Sequence, residues 1–235
     1  MTMKCVRCRR EEAVVTIPYN GDRLGSACFA EFFERRARKT IRSGGMLRFD
    51  DTVAVAVSGG VSSCVLAYLL KMLSSDKHRS RVFAVTADVG DKKHLDSARR
   101  LCKKLSVDHY VVKSKGKDVA SLLSTEAGKR GANKLAFGVN LDDEAEKAIE
   151  GFVSGTLTKI YARRKEGDVK TISPLRECPM EEIMTYARLK KIPFTREGEQ
   201  ETCAKKIIAK LEENYPGARF QILSSVDYLR LLEGR

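Results

Sequence analysis

From residue 52 to residue 73 the chain passes from a short apolar, β-branched run (residues 52–57) through Ser58-Gly59-Gly60-Val61-Ser62-Ser63 into a stretch of helical spacing (residues 64–73). A run that uniformly apolar reads as a strand buried on both faces, and such a strand feeding a helix through a glycine turn opens a parallel sheet. The alternation continues. Apolar runs at residues 81–86, 109–112 and 134–138 are followed by helical patterns at residues 93–105, 118–130 and 142–153. Strands alternating with helices of this length predict an α/β fold with a doubly wound parallel sheet. Residues 169–172 read as one more strand. Helical patterns then occupy residues 180–190, 203–214 and 224–232, with Tyr215-Pro216-Gly217 as a break.

The Ser58–Ser63 turn carries chemistry as well as shape. Its glycines let the backbone turn sharply and approach a ligand closely. The following helix begins with unpaired N–H groups at a positive dipole end, and serine hydroxyls add donors, so the turn is an anion site. It lies beyond the carboxyl end of the first strand, where open α/β sheets bind ligands. No Gly-Lys-Ser/Thr follows, so it is not a Walker A loop, and it is not Gly-x-Gly-x-x-Gly. The plainer alternative is a strand–helix connection with serine as N-cap.

Charge points to a partner. The 235 residues carry 44 Lys+Arg against 31 Asp+Glu, a net +13. A soluble protein this basic usually meets a polyanion. The clusters are Arg35-Arg36-Ala37-Arg38-Lys39, Arg99-Arg100, Lys103-Lys104, Lys113 to Lys117 and Arg163-Arg164-Lys165. The alternative is solvated helix faces with no partner. No apolar run reaches membrane-spanning length and the start has no apolar signal core, so a cytoplasmic location with no membrane contact is expected.

Seven cysteines, an odd number, argue against a disulfide framework and leave metal binding, thiol chemistry or burial. Cys5, Cys8 and Cys28 frame a small hairpin around residues 13–18 and Asn20-Gly21-Asp22, ahead of a basic amphipathic helix at residues 29–42 and a Ser43-Gly44-Gly45 hinge. Cys64 and Cys102 fall on apolar helix faces. Cys178 precedes Pro179 at a helix start, where a thiolate is stabilised, and pairs with Cys203 as a two-thiol sulfur relay. Three regions are expected: 1–46 with the cysteine hairpin and basic helix, 47–175 as the α/β domain, and 176–235 as a helical region.

A second segment, Gly138-Val139-Asn140-Leu141-Asp142-Asp143-Glu144-Ala145-Glu146, follows the fourth strand and opens a helix. With the Ser58–Ser63 turn it resembles the PP-loop tRNA thiolases, the TtcA/TtuA family and the eukaryotic cytoplasmic wobble-uridine thiolation pair. Ser173-Pro174-Leu175-Arg176-Glu177, the cysteine-framed start, and Cys203 ahead of Asn214-Tyr215-Pro216-Gly217 extend the resemblance over nearly the whole chain. It implies an adenine-nucleotide α-hydrolase (PP-loop ATPase) sheet. It also implies tRNA 2-thiolation, with ATP and its magnesium adenylating O2 of a pyrimidine before a sulfur donor displaces AMP. By position, Ser58, Gly59, Gly60, Ser62 and Ser63 would hold phosphates, Ala87 would contact adenine, and Gly138 and Asp143 would complete the site. Asp142, Asp143 and Glu144 also read simply as favourable charge in a helix's first turn. Zinc is implied at Cys5, Cys8 and Cys28, catalysis at Cys203 and Cys178. The implied partners are tRNA, a catalytic PP-loop paralogue, a sulfur-carrier protein and a dimer mate.

Four positions depart from the family pattern. Ser62 stands where the family has Asp, and Val139 where it has His. The stretch 113–133 lacks the family's cysteine pair, so an iron–sulfur cluster is not expected. Gly25 stands where a fourth zinc ligand belongs, leaving Glu31 as the substitute. These losses resemble the non-catalytic partner of the wobble-uridine thiolase, whereas the intact residues 140–144 resemble its catalytic partner. The alternatives to a thiolase are therefore a catalytically reduced partner subunit and an RNA-binding protein with a vestigial nucleotide pocket.

Overall fold

The structure, a computed structural model, describes residues 3–75, 81–114, 116, 118–157, 168–196, 198 and 201–233. The basic group at residues 163–165 lies outside the described residues. Strands β1 (Val15–Thr16) and β2 (Arg23–Leu24) form an antiparallel hairpin ahead of helix α1 (Ser26–Ser43). Five parallel strands follow: β3 (Thr52–Ala56), β4 (Arg81–Asp88), β5 (His109–Lys113), β6 (Lys134–Ala136) and β7 (Lys170–Ile172). Helices α2 (Val61–Ser75), α3 (Lys92–Leu105), α4 (Val119–Lys129) and α5 (Leu141–Val153) separate or follow them. The C-terminal part is α6 (Met180–Leu189), α7 (Cys203–Asn214) and α8 (Ala218–Glu233). No helix among the described residues is long and apolar enough to cross a membrane.

The sheet order is β5-β4-β3-β6-β7. The chain winds outward from β3 through β4 to β5, then crosses back to β6 on the other side of β3. The loops after β3 and β6 therefore part at a topological switch point, which opens a crevice at the carboxyl ends of the strands. Strand β3 explains its own uniform apolarity. Val53, Val55 and Val57 enter one core with α1, α2 and α6, while Ala54 and Ala56 enter another beneath α4.

Three helices start three or more residues earlier than their periodicity predicts. Helix α1 begins at Ser26 because Gly25, in extended backbone, serves as its N-cap. Helix α2 begins at Val61, its first turn disguised by the polar Ser62-Ser63 pair. Helix α8 begins at Ala218 because the Glu212 carboxylate of α7 accepts the backbone N–H groups of Gly217 and Arg219, both at 2.9 Å. Such a carboxylate satisfies donors that a helix start leaves unpaired.

The N-terminal hairpin and α1 are fastened to α6. Tyr186 is fully buried, stacks on Phe33 at 4.5 Å and donates its hydroxyl to Glu34 at 2.8 Å. Beside it, the buried Glu182 carboxylate accepts from Arg36 at 2.5 Å and from Tyr19 Oη at 2.8 Å. Arg36 also bonds Tyr19 Oη, and the Tyr19 ring meets Phe220 of α8 edge-on at 4.9 Å.

Candidate functional site

A cavity of about 900 Å³ opens at the switch point. Ser58, Gly60, Ser62, Ser63, Ala87, Gly138 and Asp143 all line it. Gly59 does not line it and serves the turn's geometry instead. Its φ is +94°, and a Cβ there would sit 2.0 Å from the carbonyl oxygen of His94 on α3. Gly138 has a comparable reason: its Cβ would meet Ser63 N at 2.7 Å. The β3 and β6 loops thus touch through a position where a side chain has no room.

The turn is braced from within. Ser58 N–H donates to Ser63 Oγ at 3.1 Å, Ser63 Oγ donates to the Gly60 carbonyl at 3.0 Å, and Gly60 N–H donates to Ser58 Oγ at 3.3 Å. Ser62, at the head of α2, receives the Asn140 side-chain amide at 3.3 Å. Asn140 also caps α5, accepting from Asp142 N–H at 2.9 Å and Asp143 N–H at 3.1 Å, while Asp143 Oδ2 accepts the Asn140 N–H at 3.0 Å. One capping box therefore joins the two cavity-lining loops.

The acidic run splits by role. Asp143 faces the cavity, and burial, with Asp142, Glu146 and Glu144 nearby, raises its carboxyl to about 6. Asp142 turns to structure, accepting Met180 N–H at 2.7 Å and Arg219 at 2.6 Å. Glu144 lies 3.8 Å from Arg176 and 3.7 Å from Arg230. First-turn charge thus accounts for two of the three, and Asp143 combines capping with a place in the cavity.

Other residues reach the cavity that local sequence reading missed. Met180, Met184 and Arg188 recur four apart on one face of α6, a legible helical stripe. Phe194 and Arg196 line it from an extended segment, and Lys205 from α7. No periodicity in the segment announces them; they arrive because Thr195 pairs with Gly60.

The two candidate sulfur residues are not brought into the cavity lining. Cys178 is wholly buried, and burial pushes its thiol up to about 12. This corrects the expectation of a stabilised thiolate at the start of α6, because desolvation outweighs the helix end. Cys203 is exposed at the first turn of α7. Cys64 and Cys102 are core residues, as their helix faces predict.

The sulfurs of Cys5, Cys8 and Cys28 lie within 4.8 Å of one another. Among the described residues no fourth Cys, His, Asp or Glu joins them, and Glu31 does not close the set. Gly25 supplies a backbone donor instead of a ligand. Its N–H, with those of Cys8 and Arg7, lowers the Cys5 thiol to about 6, whereas burial raises Cys28 to about 11. A side chain at Gly25 would strike Glu11, whose Oε2 lies 2.5 Å from the Cβ position.

Comparison with known proteins follows the same lines. Residues 44–127 match the asparagine synthase family. The tRNA 2-thiolation protein NcsA of Haloferax volcanii is 29% identical, over 99% of this chain and 88% of its own. The cytoplasmic tRNA 2-thiolation protein 1 of Danio rerio is 26% identical over 100% of this chain and 80% of its own. A solved structure of the U34-tRNA thiolase NcsA from Methanococcus maripaludis with its 4Fe-4S cluster superimposes with a TM-score of 0.85, at 23% identity, over 98% of this chain and 88% of that one.

The last match overturns the expected cofactor set of zinc without an iron–sulfur cluster. That expectation weighed the cysteine-free stretch 113–133 and the single late thiol of Cys203. Three soft sulfur donors gather at the N-terminus instead, short of the four ligands that close a structural zinc site. The cluster in that relative, together with the thiol trio here, points to iron–sulfur rather than zinc. In fold the chain matches the thiolase NcsA, and along nearly its whole length its sequence is similar to the tRNA 2-thiolation proteins.

Proposed function

We propose that this chain binds ATP in the switch-point cavity and acts in the 2-thiolation of tRNA. The observation that carries the reading is the contact of the Ser58–Ser63 turn with Gly138 and Asn140 around one cavity. The turn and the head of α2 would hold phosphates through backbone N–H groups and hydroxyls, and Ala87 would meet the adenine through its backbone. In the reaction, O2 of a pyrimidine attacks the α-phosphorus of ATP and the bond to pyrophosphate breaks. A sulfur nucleophile then forms the C–S bond as the C–O bond to AMP breaks. The residues of this chain bind and orient the triphosphate, and Asp143 holds or releases a proton at Oδ beside it. No cysteine lines the cavity among the described residues, so the sulfur is supplied by a separate donor; the exposed Cys203 would carry it only by attacking the outer sulfur of a donor persulfide, with the donor thiol leaving. Cys5, Cys8 and Cys28 would hold an iron–sulfur centre, which supplies a thiophilic metal and a redox couple when bound. A cytoplasmic site of action suits this role.

A second reading, a partner subunit that needs a catalytic paralogue, is favoured by Ser62. A neutral hydroxyl occupied by Asn140 brings no charge to the triphosphate. Single-turnover thiolation of bulk tRNA with ATP and sulfide separates the two. Label entering tRNA with this chain alone supports the enzyme, and label entering only after a cysteine-bearing paralogue is added supports the partner. Absence of ATP binding in calorimetry removes both and leaves an RNA-binding protein with a vestigial pocket. Iron and sulfide found in the anaerobically purified protein support the cluster assignment, and stoichiometric zinc without iron overturns it.

A further inference from the structure

The cavity has a wall that the phosphate turn does not build. Residues 194–196 run alongside the turn, and Thr195 N–H donates to the Gly59 carbonyl at 2.9 Å in a parallel bridge to Gly60. The Thr195 side chain points away from the cavity, bonded to Ser97 Oγ at 2.8 Å and to the Lys93 carbonyl at 3.2 Å on α3. Successive side chains of an extended segment point to opposite sides. Phe194 and Arg196 accordingly share the other side, and both line the cavity. Arg196 is thus fixed one residue from a strand-like pairing with the phosphate turn. Among the described residues no carboxylate forms a salt bridge with it, and Arg196, an exposed residue, lines the same cavity as Ser58, Gly60 and Ser62.

We propose that Arg196 is a binding residue for the terminal phosphates of the nucleoside triphosphate. This rests on the nucleotide reading given above and goes beyond it, because the phosphate-binding residues considered there all lie in the two glycine loops and at the heads of α2 and α5. A guanidinium offers planar paired donors that match phosphate oxygens, and it is permanently charged. Placed beside the turn, it brings a positive charge to the β- and γ-phosphates and to the departing pyrophosphate. AMP has no group at that distance along the turn, so Arg196 discriminates triphosphate from monophosphate. Thr195 is the positioning residue, because its three bonds hold the segment against Gly59 and α3.

The test is calorimetry of the full chain with a non-hydrolysable ATP analogue and, separately, with AMP. Arg196→Ala is expected to weaken the triphosphate analogue about ten- to hundredfold, the scale of a charged hydrogen bond, and to leave AMP affinity unchanged. Arg196→Lys, which keeps the charge, is expected to recover part of the loss. Equal affinity of Arg196→Ala and the parent for the analogue overturns the proposal, and so does a matching loss for AMP. If the parent itself fails to bind the analogue, it is the nucleotide reading that fails.

Discussion

Asp143 is a carboxylate whose environment works against its charge. Its ordinary value is 3.8 and burial raises it to about 6. Between those values the folded chain keeps a proton that the unfolded chain has lost, so stability falls as pH rises through that window, and the full cost is present above it. Asp143 nonetheless keeps more than a third of its surface in water, so solvent screening holds the cost to about 1 kcal/mol or less. Asp143→Asn keeps an oxygen to accept the Asn140 N–H and has no charge to bury. Urea unfolding is expected to show the variant gaining on the parent by about that amount between pH 4 and pH 7; a difference that does not vary with pH refutes it. Residue-scale chemistry was the most legible part of the sequence. The turn, Gly138 and Asp143 declare themselves because local backbone and capping rules govern them. Arg196 did not, because its place depends on a pairing with Gly60 across far-apart chain segments. Cys178 misled for a related reason: its helix start is local, and its burial is not.

At the scale of elements, strand–helix alternation was readable because each buried strand writes its own apolar run. The early start of α8 was not, since the cap is a carboxylate on the preceding helix. The knot of Tyr19, Arg36 and Glu182 was equally hidden, joining hairpin, α1 and α6 through residues that look like ordinary surface charge in the sequence. The side chain of Glu182 is 2% exposed and that of Arg36 13%. Removing one partner leaves the other buried and uncompensated, so Glu182→Ala is expected to cost about 3–5 kcal/mol. Asp227, 41% exposed in its pair with Arg176, is expected to cost no more than about 1 kcal/mol when replaced by Ala. Denaturant unfolding of the two variants checks the contrast, and similar losses would contradict the assignment of Glu182 as the buried partner.

For the molecule as a whole, the net +13 bears on RNA. On α1 the exposed side chains Arg35, Lys39 and Arg42 leave the helix on the face away from the buried Phe33 and Ala37. If tRNA lies along basic surface, log affinity falls linearly with log salt as condensed ions are released. Raising salt from about 50 to about 200 mM is expected to weaken tRNA binding by at least tenfold in a filter-binding assay. Replacing Arg35, Lys39 and Arg42 together by Ala is expected to flatten that slope, and an unchanged slope removes this face from the RNA footprint. Net charge was plain in the sequence; which basic residues share a face emerged only with the fold.

The main hydrophobic core runs without interruption from Cys5, Ile17 and Phe29 through Val55 and Leu66 to Ile183 and Tyr186. It therefore crosses the boundary that composition draws near residue 46. A shortened gene beginning at residue 47 would leave the α6 aromatic face wet and Glu182 without its arginine. Such a product would be sticky and short-lived in a cell. The cysteine-bearing start is therefore not a detachable tool: it and the walls of the switch-point cavity are held up by one interior.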